Sequence, residues 1–166
     1  MYELELIIVI SAVLAGWYFV GSHQNRRLSS KVWRSVLEQM DEFASEITTR
    51  ELGGSAFIAV ARDIRQPFKR IEIAYTSLPR EILINYVISR AMGRKDLLSI
   101  MADFASTPKA EKTLKDFPDL KNDALSLRIS TGRPNLRVIM SAEQVLDGSL
   151  RRVLSAVRAA CSSGLC

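Results

Sequence analysis

The chain reads as α+β: an N-terminal transmembrane helix, then a mainly antiparallel sheet of about five strands with helices on one face. Three observations predict this. Residues 4–20, LELIIVISAVLAGWYFV, are apolar apart from Ser11 and Glu5. Several later stretches alternate apolar and polar residues, as half-buried strands do. Among them run segments whose apolar residues recur three and four apart, bounded by proline, glycine and capping residues, as amphipathic helices are. The expected division is an anchor over 1–22, a juxtamembrane amphipathic helix over 23–53, an α+β cytoplasmic domain over 54–160 and a flexible tail over 161–166.

A helix that crosses the hydrocarbon core needs roughly 20 apolar residues, and about 17 at the least. Residues 4–20 reach that length, and Gly21 and Ser22 extend it into the headgroups. Glu5 lies near one end, where a carboxylate stays in water, and Trp17 and Tyr18 lie near the other, where such rings favour the interface. A cleaved signal peptide needs a positive leader, but Glu3 and Glu5 make this one acidic, so a retained signal anchor is expected. No Lys or Arg precedes the span, whereas Arg26, Arg27, Lys31 and Arg34 follow it. Basic flanks stay cytoplasmic, which puts the amino end outside and the domain inside the cell membrane. Ser11, Ala12, Ala15 and Gly16 form small-xxx-small pairs through which two such helices could associate.

Beyond the anchor, 23 basic residues face 16 acidic ones, a net +7. That charge favours acidic partners, lipid headgroups or RNA in a nonspecific sense. No block of aromatics with arginine indicates a nucleic-acid module. Cys161 and Cys166, both in the terminal CSSGLC, are expected to be reduced thiols in a cytoplasmic setting.

Taken in order, Trp33, Val36, Met40, Phe43 and Ile47 make one helical stripe between residues 27 and 52. Gly53-Gly54 supplies its stop. The stripe suits packing on the domain's own sheet better than a coiled-coil stalk, which needs more heptads. Residues 55–62 and 69–77 read as strands of a hairpin, with Ile71, Ile73 and Tyr75 alternating in the second. Pro79 suits the first turn of a helix with Ile82, Leu83, Tyr86, Val87 and Met92 on its apolar face and Gly93 as its stop. A third strand covers 97–104. Thr107-Pro108 could open a short exposed helix ending near Pro118. Residues 124–130 and 135–140 alternate across the turn Thr131-Gly132-Arg133-Pro134. Ser141 with Gln144 matches a capping box, and Gly148 marks either a kink in the last helix or a later start at Asp147 or Ser149.

Leu78-Pro79-Arg80-Glu81, Ser89-Arg90 and Arg94-Lys95-Asp96-Leu97-Leu98 together resemble a family of archaeal single-pass membrane-anchored proteins. In that family a strand ending in LPRE leads to an arginine-rich RRD-L stretch. The resemblance covers about residues 71–100, and Arg94-Lys95 departs from the doubled arginine. It implies an anchored archaeal domain and transfers no catalytic residue.

His23 is the only histidine, which rules out triads and metal sites that need several. The sequence indicates no metal and no cofactor. Asp96, Asp103 and Glu72 could form paired carboxylates if their strands align. Arg80, Arg90, Arg94 and Lys95 bracket the central helix and form the best basic patch, suited to phosphates or an acidic partner. The reading is of a membrane-tethered cytoplasmic protein-interaction or assembly module without catalytic activity. Its expected partners are the lipid bilayer and either a protein or a second copy in a homo-oligomer. The alternatives are peripheral binding of anionic lipid or nucleic acid through the basic residues, and a histidine-independent enzyme using Asp/Glu and Arg.

Overall fold

The computed structural model describes residues 2–132 and 134–165, with the backbone alone for Asp63 and Leu165. Its first element, α1 (Tyr2–Met40), is one unbroken helix of 39 residues. At 1.5 Å per residue it is about 58 Å long. Its first half is exposed apart from Trp17, while Val32, Val36 and Met40 on its last turns are fully buried in the core. α1 is long and apolar enough to cross a membrane.

Seven strands follow, all paired antiparallel: β1 (Ala44–Glu51), β2 (Ala56–Ile64), β3 (Phe68–Thr76), β4 (Leu97–Phe104), β5 (Lys112–Thr113), β6 (Ser126–Ser130) and β7 (Asn135–Ser141). Their order across the sheet is β1-β2-β3-β4-β7-β6-β5. α2 (Leu83–Ala91) lies in the β3–β4 connection, and α3 (Ala142–Leu146) and α4 (Ser149–Ala160) close the chain before a π turn over Cys161–Leu165.

The core lies on one face of the sheet. Phe57, Ala59 and Ala61 of β2, Ile71, Ile73 and Tyr75 of β3, Leu98, Ile100 and Ala102 of β4 and Leu136, Val138 and Met140 of β7 point into it. Val32, Val36 and Met40 of α1 and Val145, Leu150, Val153, Leu154 and Val157 of α3 and α4 meet them there. Period-two alternation on the strands and the helical stripes therefore converge on one layer. Buried Gln39 joins the helices: its amide donates to the Val145 carbonyl at 2.7 Å and its oxygen accepts from the Arg151 amide at 3.1 Å. It thus serves backbone groups left open by the break between α3 and α4.

The α+β reading, the hairpin of β2 and β3, the sheet packing of residues 32–40, and the Ser141–Gln144 capping box all appear. Gly148 does break the last helix, at φ 81°. Other expectations change. The helix expected to reach residue 52 stops at Met40, and Ala44–Glu51 is an edge strand. Ile47 satisfies both periods, but Ile47-Thr48-Thr49 is a β-branched run that favours the strand. Gly53, at φ 79°, then turns the β1–β2 hairpin instead of ending a helix. With β1 and the two-residue β5 the sheet has seven strands, not about five. Where a helix was expected after Thr107-Pro108, β5 and two 3-10 turns, Leu114–Asp116 and Pro118–Leu120, take its place. Pro79 precedes α2 by four positions, so it shapes the approach and not the first helical turn.

Candidate functional site

Two features outside the core could act on something else: the segment where α1 meets the β3–β4 connection, and the uncovered face of the sheet.

At the first, Leu78-Pro79-Arg80-Glu81 leaves β3 and runs across α1. Gly21 sits where any side chain would overlap the Arg80 carbonyl, so the close approach needs glycine. The Trp17 indole N–H donates to the same carbonyl at 2.8 Å. About one turn beyond Gly21, buried Asn25 donates to the Leu78 carbonyl at 3.0 Å and to the Glu81 carboxylate, and its oxygen accepts from Arg80 at 2.9 Å. Arg80 then grips Asp96 with two hydrogen bonds, of 2.8 and 2.6 Å. Asp96 also accepts the Leu78 amide at 2.7 Å, and its own carbonyl accepts the Ala142 amide at 3.0 Å. α1, the end of β3, the start of β4 and the start of α3 are thereby tied by one polar network.

The electrostatics follow from that geometry. Burial alone would raise the Asp96 carboxyl, but the Arg80 guanidinium and the Leu78 amide outweigh it and hold the group below the usual carboxylate range. The Asp96 hydrogen bonds raise Arg80 in turn. Tyr75, stacked on Phe57, is pushed up by burial and by the nearby Asp96 charge. Its buried hydroxyl has no hydrogen-bond partner among the described residues.

The expected basic patch divides. Arg80 is a half-buried member of this network, not a surface cation, because Asp96 and Asn25 draw it inward. Arg90, Arg94 and Lys95 are exposed at and beyond the C-terminal end of α2. α2 itself differs from expectation in what it does with its apolar residues. Leu83, Tyr86 and Ser89 turn toward the body, and Tyr86 meets the Trp17 ring at 6.1 Å. Ile82, Ile84, Val87, Ile88 and Met92 are all at least half exposed, Ile84 at 68%. Only one α2 side chain, Ser89, is buried.

Beyond the apolar half of α1, Arg26, Arg27, Lys31 and Arg34 are exposed along the helix. Arg26 lies along Gly54 at the edge of a cleft of about 560 Å³, whose other walls are Trp33, Thr49, Glu51 and Phe57. Ser11, Ala12, Ala15 and Gly16 are exposed on the projecting half of α1.

The second feature is the sheet face opposite the core. Register places Thr48, Val60, Glu72, Met101, Arg137 and Arg128 in one row across it. The next row holds Arg50, Ile58, Ala74, Ser99, Ile139 and Ser126. The middle of this face is thus aliphatic or small, and its β6–β7 end is basic. Arg128 and Arg137 oppose each other directly, an unfavourable arrangement. Among the described residues neither pairs with a carboxylate.

The three carboxylates do not converge. Glu72 pairs with Arg70 at 3.1 Å, Asp103 lies opposite Arg70, and Asp96 belongs to the network at the far end of β4. Asp96 and Asp103 are separated along one strand by about 23 Å. Cys161 is disulfide-bonded rather than a free thiol, and Cys166 and Arg133 lie outside the described residues.

Sequence reasoning missed Gly21, Asn25, Gln39 and Asp123. Asp123 accepts from Ser149 at 2.8 Å and pairs with Arg152, which holds its carboxyl below the ordinary range. No family model matches the chain, and no similar curated protein was found.

Proposed function

We propose that the chain is a noncatalytic, membrane-tethered module that holds its open sheet face at a fixed attitude for a protein partner. The observation that carries this reading is the continuity of α1. The helix runs from its exposed apolar half into the core with no linker between Tyr2 and Met40. A domain joined this way cannot swing freely from its anchor.

The face so held has the composition of an interface: Ile58, Val60, Ala74, Met101 and Ile139 in the middle, with Arg128 and Arg137 at one end. The unpaired arginines suit an acidic surface. Arg26, Arg27, Lys31 and Arg34 favour the cytoplasmic side. The disulfide at Cys161 runs the other way, since such bonds persist in oxidising compartments. Protease added to whole cells decides the side: the cytoplasmic reading predicts an intact domain, and digestion would reverse the orientation.

The partner reading is tested by a photo-crosslinking amino acid placed at Met101 or Ile139 in native membranes. Its expected product is a covalent adduct with another protein, weakened by Arg128→Glu with Arg137→Glu. Adducts with a second copy of the chain would make the module self-assembling, and labelling of lipid alone would overturn the reading.

A further inference from the structure

We infer that α2 is a second membrane contact: an interfacial helix whose outer aliphatic face rests in the bilayer surface beside α1. The inference rests on the reading of α1 as a membrane span. At 100° per residue, Ile84, Val87, Ile88 and Ala91 fall on one side of α2, and all four are exposed. Leu83, Tyr86 and Ser89 fall on the other, against the body. The helix therefore turns its aliphatic side outward, the reverse of a helix that packs only on its own domain. Ile82 and Met92, just outside its ends, extend the exposed apolar surface.

Position along α1 identifies the occupant. α2 and its approach touch α1 at Trp17 and Gly21. A hydrocarbon core of about 30 Å takes up roughly 20 residues of helix. A span that enters near residue 4 thus stays within hydrocarbon or headgroups through residue 21. Whatever packs against Trp17 and Gly21 must lie at that boundary and not in bulk water. Interfacial helices bury an apolar face by about 5–10 Å into this region. Arg90, Arg94 and Lys95, exposed at the C-terminal end of α2, are placed for anionic headgroups. The Arg80–Asp96–Asn25 network then acts as the brace that holds α2 against α1 at this depth.

The test uses the full chain in phosphatidylcholine–phosphatidylglycerol vesicles. An environment-sensitive fluorescent amino acid replaces Ile84, Ile10 or Arg137, one position at a time. The expected result is strong quenching at position 84 by shallow spin-labelled lipid with protection from aqueous iodide. Position 10 should be quenched by deep spin-labelled lipid, and position 137 by iodide alone. Ile84→Glu with Val87→Glu changes two exposed positions, so the fold should be kept. With the reporter then at Ile88, lipid quenching should fall severalfold relative to the unsubstituted chain. Iodide access at position 84 with position 10 still lipid-quenched would overturn the inference and leave the span intact. Loss of lipid quenching at position 10 as well would overturn both.

Discussion

Asp96 is the residue on which most of the network depends, because it meets both Arg80 and the Leu78 amide. Both partners of the ion pair are largely buried, with side chains 16% and 12% exposed. Asp96→Asn should cost on the order of 3 kcal/mol, since it leaves Arg80 buried beside a neutral amide. Chemical denaturation in detergent micelles checks this. Because the folded carboxyl lies below its unfolded value of about 3.9, its stabilisation is complete above that value. It is lost as pH falls through the folded value. Stability of the native chain should therefore drop in acid more steeply than that of Asp96→Asn. A parallel decline in the two proteins would count against the network. Tyr75 makes the opposite case. Its buried hydroxyl lacks a partner among the described residues, so Tyr75→Phe should leave stability unchanged or raise it by about 1 kcal/mol. A loss of that size in thermal melts would show that the hydroxyl is satisfied after all.

At the scale of elements, the sequence made most of this fold legible because alternation and capping are local. β3, β6 and β7 were read from period two, and the Ser141–Gln144 box forms with both of its hydrogen bonds, 3.3 and 2.8 Å. Ser141→Ala should cost about 1 kcal/mol, measured as a shift in the unfolding midpoint. The end of α1 was not legible, because Val36, Met40, Phe43 and Ile47 keep helical spacing across a real boundary. Only pairing with β2 makes residues 44–51 a strand. The site was harder still. Arg80 and Asp96 lie 16 positions apart, and nothing local says that one will bury the other. The apolar positions of α2 were seen, but which side would face the domain depends on where α1 passes.

For the whole molecule, one helix carries both a stretch long and apolar enough to cross a membrane and part of the core, so on the proposed reading the position of the domain above the membrane is set by packing. Val32, Val36 and Met40 fix one end in the sheet layer, and Gly21 and Asn25 fix the middle against the β3–β4 connection. Gly21→Leu should force that connection away from α1 and cost about 1–3 kcal/mol, as overpacking does. Spin labels at Ile10 and Arg137 in lipid nanodiscs measure the consequence directly by pulsed electron resonance. A rigidly held domain predicts a single narrow distribution of distances between them. A broad distribution, as a flexible joint between the apolar segment and the sheet would give, would contradict the account.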